Sequence, residues 1–274
     1  MKMYLTDLDH TFLRSDLSVS NYSKKIWNKT AKSALLSIAT ARSYKKAMQF
    51  LDDLTFNSPM ILLDGSLVVD NKKNIIDMQV LDKKISDAII DEGAKYKIYP
   101  FIIALKDTQL NELFIYPSFR NNHQDQLLER YKGDDHLLQE SNIKGRENTF
   151  KLVYMGEEKL LRPLCEHLKS VFGTQLEYKL APEAYLKCYY LTILHYKADK
   201  AYGMSILKKN INIDYNDITV FGDGINDLGM FKYAKTAIAV NNALDEVKKQ
   251  ANIILPNSND EDAVARYLET QIIL

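Results

Sequence analysis

The stretch that decides the fold is residues 3–13, MYLTDLDHTFL, in which an apolar run ends in two aspartates separated by one residue. This pattern predicts a buried β-strand that presents Asp7 and Asp9 at its carboxyl end. Ligands bind at that edge of parallel α/β sheets. Neighbouring carboxylates repel each other unless a proton or a cation lies between them, so the pair indicates a divalent-metal site. A solvated Asp-x-Asp turn is the alternative that this stretch leaves open.

A second acidic turn lies near the far end of the chain. Residues 217–221, DITVF, predict another buried strand, and GDGINDLGM follows it at 222–230. Asp223 and Asp227 are four residues apart, so one helical turn would bring their carboxylates together, and Asn226 adds a neutral oxygen ligand. A glycine-rich turn in which Asp227 only starts a helix is the alternative. Two acidic turns after two apolar strands favour a single metal site.

Two further strands end in polar residues. Residues 33–39, SALLSIA, predict a strand that ends at Thr40 and Arg42, where a helix begins. A hydroxyl and a guanidinium at that position suit an anion. Residues 60–63, MILL, predict a third strand, which residues 64–66 follow. The alternation of strand, polar turn and helix predicts a parallel sheet with crossover helices.

Lys200 begins a predicted helix, where the helix dipole disfavours a cation. The position indicates a nearby negative charge, and a solvated surface lysine is the alternative.

The middle of the chain has a different pattern, with long, aromatic, alternating strands among helices. Alternation predicts an antiparallel sheet with one face covered by helices. We therefore expect a first domain of residues 1–79 and 195–274, with an α+β domain inserted at 80–194. The expected strands of the insert are 99–105, 110–116, 150–155 and 185–193, and its expected helices are 82–94, 122–131 and 157–172.

Composition excludes several classes of partner. The 274 residues contain 36 basic and 36 acidic side chains, so the net charge is formally zero and predicts no nucleic-acid or membrane partner. The two cysteines, Cys165 and Cys188, favour a reducing cytoplasm over a disulfide scaffold. No obligate protein partner is indicated.

Taken in this order, the motifs resemble those of the haloacid dehalogenase superfamily of phosphohydrolases, and the chain looks like its Cof-type branch with a large C2-type cap domain. Residues 7–11, DLDHT, match motif one, Thr40 motif two, Lys200 motif three, and residues 222–227 motif four. The resemblance covers nearly the whole chain. It implies an α/β fold, a Rossmann-like doubly wound parallel-sheet core with an inserted α+β cap domain.

The resemblance also implies a mechanism. Asp7 would attack phosphorus to give an aspartyl phosphate, and Asp9 would protonate the leaving oxygen and then take a proton from water. Thr40 and Lys200 would bind the transferring oxygens. The implied ligands of Mg²⁺ are Asp7, Asp9 through its backbone carbonyl, Asp223, Asn226 and Asp227. The implied substrate-binding residues are Thr11, Arg42, Asp64, Gly65 and Asn242.

Three residues depart from the family pattern: His10 and Ala41 stand where glycine is common, and Asp64 where asparagine is common. Arg42 is expected to contact Asp64 or the substrate.

The function that the resemblance implies is a Mg²⁺-dependent phosphatase of a small phosphorylated metabolite, with sugar phosphates the leading candidates. A phosphotransferase or mutase of the same fold, and a catalytically weak ligand-binding member, stay open as alternatives.

Overall fold

The computed structural model describes residues 1–134, 136–183 and 186–272 and divides into two compact units. The first unit consists of Met1–Met78 with Ala198–Leu274, and the second of Gln79–Lys197. The second unit is therefore an insertion in the chain of the first. Their functional division into a core and a cap stays a prediction.

The first unit contains a parallel sheet, a small antiparallel sheet and helices. Its strands are β1 (Met3–Thr6), β2 (Leu35–Ile38), β3 (Met60–Leu62), β4 (Leu67–Val69), β5 (Ile75–Met78), β12 (Ile218–Gly222), β13 (Thr236–Ala239) and β14 (Ile253–Ile254). Its helices are α1 (Asn21–Thr30), α2 (Tyr44–Met48), α6 (Lys200–Ile211), α7 (Leu228–Tyr233), α8 (Asp245–Gln250) and α9 (Ala263–Ile272).

The parallel sheet has the strand order β14-β13-β12-β1-β2. Met3 of β1 pairs with Ile218 on one side and with Leu35 on the other, and every pairing in this sheet is parallel. All four residues of β1 are buried, and because successive residues point to opposite faces, both faces of the sheet are covered. The predicted parallel core is confirmed, and the carboxyl ends of β1, β2 and β12 meet at one edge.

The surroundings of the third predicted strand, β3, differ from the expectation more than any other part of this unit. β3 pairs antiparallel with β4 in a three-stranded sheet, and one parallel bridge, Ala39 to Ile61, connects it to the larger sheet. A hairpin follows it instead of a crossover helix. The chain reverses here because three consecutive residues, Leu63, Asp64 and Gly65, have positive φ angles of 50°, 59° and 92°. A short, continuously apolar run such as residues 60–63 does not reveal which partner a strand takes.

The second unit is an α+β unit. Its strands are β6 (Phe101–Leu105), β7 (Glu112–Pro117), β8 (Leu137–Glu140), β9 (Thr149–Gly156), β10 (Leu176–Glu183) and β11 (Cys188–His195). Its helices are α3 (Lys83–Lys95), α4 (Asn122–Arg130) and α5 (Glu158–Phe172).

The strands form one six-stranded sheet of order β10-β11-β9-β6-β7-β8. Helices α3 and α5 supply buried residues to the apolar cluster on one sheet face, as predicted. Leu127 and Leu128 of α4 pack against the cluster of Phe101, Val153 and Met155 on the opposite face, so the expectation that helices cover only one face is wrong.

Strands β8 and β10 were not predicted, and the expectation of an all-antiparallel sheet is wrong in one place. β7 pairs with β8 in parallel, because α4 connects them as a crossover. β8 carries a polar sequence with two exposed residues, so its alternation is weak. Tyr185, the first residue of the strand expected at 185–193, lies outside the described residues.

Cys165 and Cys188 are both buried free thiols. Within the described parts of the chain, every helix is too short or too polar to cross a membrane.

Gly65 and Gly133 offer a matched test of how the hairpin turn packs. A Cβ on Gly65 would lie 2.0 Å from the backbone oxygen of Asp199, whereas at Gly133, with nearly the same φ of 91°, no described atom lies within 4 Å. A left-handed backbone costs any Cβ-bearing residue about 1–2 kcal/mol, and only Gly65 adds a clash with backbone. We expect Gly65→Ala to lower the free energy of urea unfolding by more than about 3 kcal/mol and Gly133→Ala by about 1 kcal/mol. Equal losses would show that the close approach to Asp199 is unimportant.

Candidate active site

The first motif follows directly from β1. The Asp7 N–H donates to the carbonyl of Phe221 at 3.0 Å, which continues the parallel pairing one residue past the strand. Residues 8–12 then form a tight turn, closed by a hydrogen bond of 2.8 Å from the Leu13 N–H to the Leu8 carbonyl. His10 in this turn has a φ of 57°, a conformation that glycine adopts without strain. This explains why a glycine suits the position.

Ala41, the second residue that stands where glycine is common, is not among the residues with positive φ, so its backbone is not strained.

Three carboxylates converge at this edge of the sheet. Oxygens of Asp7, Asp223 and Asp227 lie within 4.8 Å of one another, the one acidic group of this kind found among the described residues. Thr11 donates from its hydroxyl to Asp223 Oδ1 at 2.8 Å. Asp227 Oδ2 accepts the backbone N–H groups of Asp223 and Gly224, both at 3.0 Å. The two acidic turns therefore form one cluster, and the solvated-turn alternative is wrong.

Lys200 connects the two turns. Its Nζ lies 2.7 Å from Asp7 Oδ1 and 2.7 Å from Asp227 Oδ1, and its side chain is fully buried. Asp199, one residue earlier, accepts the N–H of Ala201 and so begins helix α6. The lysine at an unfavourable end of a helix is explained by these two carboxylates, and the alternative of a solvated lysine is wrong.

The charges in this cluster do not balance. Burial raises the pKa of Asp7 well above its usual value, and Asp227 and Asp223 raise it further against the opposing effect of Lys200. Burial alone would lower the pKa of Lys200, but the charges of Asp227 and Asp7 outweigh it and raise the pKa. Three carboxylates beside one ammonium group leave two negative charges when all are ionised. A divalent cation would neutralise them.

The carboxylate of Asp9 pairs with a different cation, the guanidinium of Arg42. Two nitrogens of Arg42 donate to it: Nε lies 2.8 Å from Oδ2, and Nη2 lies 2.5 Å from Oδ1. This partner of Arg42 was not among those predicted. Thr40 lies nearby, fully buried at the end of β2, and its Oγ1 accepts the backbone N–H of Arg42 at 3.1 Å.

The residues predicted to bind substrate are placed as follows, and their roles stay predictions. Asp64 is buried in the hairpin turn, where its N–H donates to the carbonyl of Thr40 at 3.0 Å. Asn242 donates to the carbonyl of His10 at 2.7 Å and accepts the N–H of Asn259 at 2.9 Å. Asn226, expected near the metal, is exposed.

The contribution of Lys200 to stability can be tested by comparing it with a surface lysine. Lys200→Met would leave Asp7 and Asp227 buried without their cation, which typically costs about 3–5 kcal/mol. Lys24 pairs with Asp53 at 3.4 Å on the surface, where Asp53 is 81% exposed. We expect Lys24→Met to change the free energy of unfolding by less than about 0.5 kcal/mol. Both variants are measured by chemical unfolding in chelator; a Lys200 variant as stable as the Lys24 variant would contradict this account.

The chain is similar in sequence and in fold to known proteins. The model of the haloacid dehalogenase-like hydrolase family matches residues 4–268. The 5-amino-6-(5-phospho-D-ribitylamino)uracil phosphatase YwtE of Bacillus subtilis is 27% identical over 98% of this chain and 97% of its own length. The crystal structure of a haloacid dehalogenase-like hydrolase from Bacteroides thetaiotaomicron superposes with a TM-score of 0.83 at 20% identity, covering 98% of this chain and 99% of that one.

The structure of a sugar phosphatase of haloacid dehalogenase subclass IIB, BT4131, superposes with a TM-score of 0.76 at 16% identity over 100% of both chains. The family match spans most of the chain and includes all four motifs. The resemblance inferred from those motifs is confirmed, and so is the hydrolase class. The chain belongs to the haloacid dehalogenase-like hydrolase family.

Proposed function

We propose that this protein is a Mg²⁺-dependent phosphatase that hydrolyses a small phosphorylated metabolite through an aspartyl phosphate on Asp7. The observation that carries the proposal is the buried cluster of Asp7, Asp223 and Asp227 around Lys200. A carboxylate held at a strand end by an ammonium group is oriented for attack on an approaching phosphate.

The side chains of the cluster fit a magnesium ion. Carboxylate oxygens are the ligands that this hard cation prefers, and two uncompensated negative charges match its charge. Asp7 and Asp223 would hold the ion, together with the backbone carbonyl of Asp9, and Asp227 and Asn226 would support them. When bound, Mg²⁺ would supply the positive charge that lets a phosphate dianion approach a carboxylate.

The residues then divide the reaction into two displacements. A carboxylate oxygen of Asp7 attacks phosphorus, the bond from phosphorus to the leaving oxygen breaks, and Asp9 protonates that oxygen. Water then attacks phosphorus and gives a proton to Asp9, and the bond between Asp7 and phosphorus breaks to release inorganic phosphate. A loose transition state needs little push from the weakly basic carboxylate.

Thr40 and Lys200 are proposed to hold the phosphoryl oxygens. The Thr40 hydroxyl already accepts the N–H of Arg42, so its own proton is available for a phosphoryl oxygen. Lys200 has three N–H donors and uses two on Asp7 and Asp227, which leaves one for the substrate.

Sugar phosphates remain the leading substrate class in this proposal. The Bacillus subtilis relative is named for a phosphorylated ribityl compound, and the subclass IIB structure is described as a sugar phosphatase. Both names describe phosphate esters of polyhydroxylated carbon chains. Such small, soluble substrates also fit the zero net charge and a cytoplasmic location.

The inserted unit is proposed as the cap that excludes water and selects among these substrates.

The proposal predicts phosphate release that needs both metal and Asp7. With a panel of sugar phosphates, ribityl phosphates and nucleotides, we expect Mg²⁺-dependent release that chelator abolishes. Asp7→Asn is expected to lower kcat by more than about 10³-fold because the nucleophile is lost. Asp53→Asn, an exposed aspartate of the same unit, serves as the control and is expected to retain full activity.

Product analysis separates the two alternatives. A phosphotransferase or mutase would consume substrate and form a new phosphate ester when a sugar acceptor is present. A ligand-binding member would bind metal and phosphate without turnover. Either result, or full release by Asp7→Asn, would contradict the proposed hydrolysis.

A further inference from the structure

Arg42 makes contacts through its backbone and through the face of its guanidinium group. Its backbone N–H donates to the Thr40 hydroxyl at 3.1 Å, and its carbonyl accepts the N–H of Leu63 at 3.0 Å. Its guanidinium carbon lies 4.6 Å from the ring centroid of Phe50, within the range of a cation–π contact. Contacts on the backbone and on the face of the guanidinium therefore fix its direction.

The guanidinium of Arg42 donates hydrogen bonds to both carboxylate oxygens of Asp9. Besides the bonds of Nε to Asp9 Oδ2 and of Nη2 to Oδ1, Nε also lies 3.1 Å from Oδ1. The side chains are only 22% and 34% exposed, so water competes for them less than for an ordinary surface pair. A two-pronged contact fixes the plane of the carboxylate as well as its position.

The contact holds Asp9 as a hydrogen-bond acceptor. Arginine offers only donors, so each Asp9 oxygen that it contacts must accept. Under the proposed function, accepting a proton is the task of Asp9 in the second displacement, when water attacks the aspartyl phosphate. Oδ2 accepts only one of these bonds from Arg42 and keeps a second lone pair, which can face that water.

We propose that Arg42 is a positioning residue that holds Asp9 in place to take the proton from the attacking water. This inference rests on the proposed function and assigns to Arg42 a step in it. Water attacks phosphorus, its proton passes to an Asp9 oxygen, and the bond between Asp7 and phosphorus breaks with its electrons returning to the Asp7 carboxylate. In this proposal Arg42 acts through Asp9 and forms no bond to the reacting atoms, whereas the expected contact of Arg42 with substrate stays a prediction.

The two displacements can be measured separately with p-nitrophenyl phosphate. Nitrophenolate is a good leaving group, so forming the aspartyl phosphate needs little help from an acid. Its absorbance in a stopped-flow experiment reports the first displacement, and later turnover reports the second. Aspartyl phosphate is measured directly by acid quench of p-nitrophenyl [³²P]phosphate.

We expect Arg42→Met to slow the second displacement by roughly 10- to 100-fold, within the range of general-base effects. Nitrophenolate should then appear as a burst close to one per chain, with aspartyl phosphate accumulating to match and a burst rate within about threefold of the wild type. Arg42→Lys should resemble Arg42→Met, because an ammonium group cannot grip both oxygens. In an Asp9→Asn background, Arg42→Met should add little.

Arg14→Met is the matched control. Arg14 grips Asp262 in the same way, with distances of 3.2 Å from Nε and 2.7 Å from Nη2, but neither residue belongs to the proposed machinery. Its burst and turnover should equal those of the wild type.

Other outcomes would overturn the inference. A raised KM and a slower first displacement, without accumulated aspartyl phosphate, would make Arg42 a substrate-binding residue. A lowered melting temperature with fewer active chains and no burst would make its role structural. The proposed function is tested apart from both: if Asp7→Asn still forms phosphoenzyme or releases nitrophenolate, the nucleophile is misassigned, whatever Arg42 does.

Discussion

The buried contact of Lys200 with Asp7 and Asp227 is the constraint on which the rest of the first unit depends. Charges removed from water are costly unless they are paired with good geometry, and here one ammonium group serves two carboxylates at 2.7 Å each. The contact joins the end of β1, the start of α6 and the turn after β12, which are far apart in sequence. Even so, three carboxylates beside one ammonium group leave two negative charges when all are ionised. A divalent cation would balance the charge of a site arranged in this way.

The surrounding structure is arranged around that contact. Gly65 allows the hairpin turn to approach the start of α6 because it has no Cβ to meet the Asp199 carbonyl. Thr11 orients Asp223, and the backbone of the second acidic turn orients Asp227. Thr40 accepts the N–H of Arg42, and Arg42 in turn donates to Asp9. The proposed nucleophile and the proposed acid–base group are therefore held by different partners. Different surroundings let the two carboxylates take different roles in the proposed mechanism.

Much of this arrangement could be predicted from the sequence, since the apolar runs and the acidic turns after them mark the strands and the edge where ligands bind. Lys200 was recognisable because its position conflicts with the helix dipole. The hairpin after β3 was missed, because consecutive left-handed residues such as Leu63 and Asp64 have no clear signature in side-chain type. The pairings of Arg42 with Asp9 and of Thr11 with Asp223 were also missed. They depend on side-chain directions across different loops, and spacing along the chain does not encode these.

In the proposed function, a divalent cation balances the excess negative charge of Asp7, Asp223 and Asp227. Isothermal titration calorimetry of the chelator-treated protein with Mg²⁺ tests this directly and does not require a substrate. The account predicts one Mg²⁺ bound per chain, with binding lost in Asp223→Asn and kept in Asp53→Asn. No binding by the wild type, or equal binding by the Asp223 variant, would contradict it.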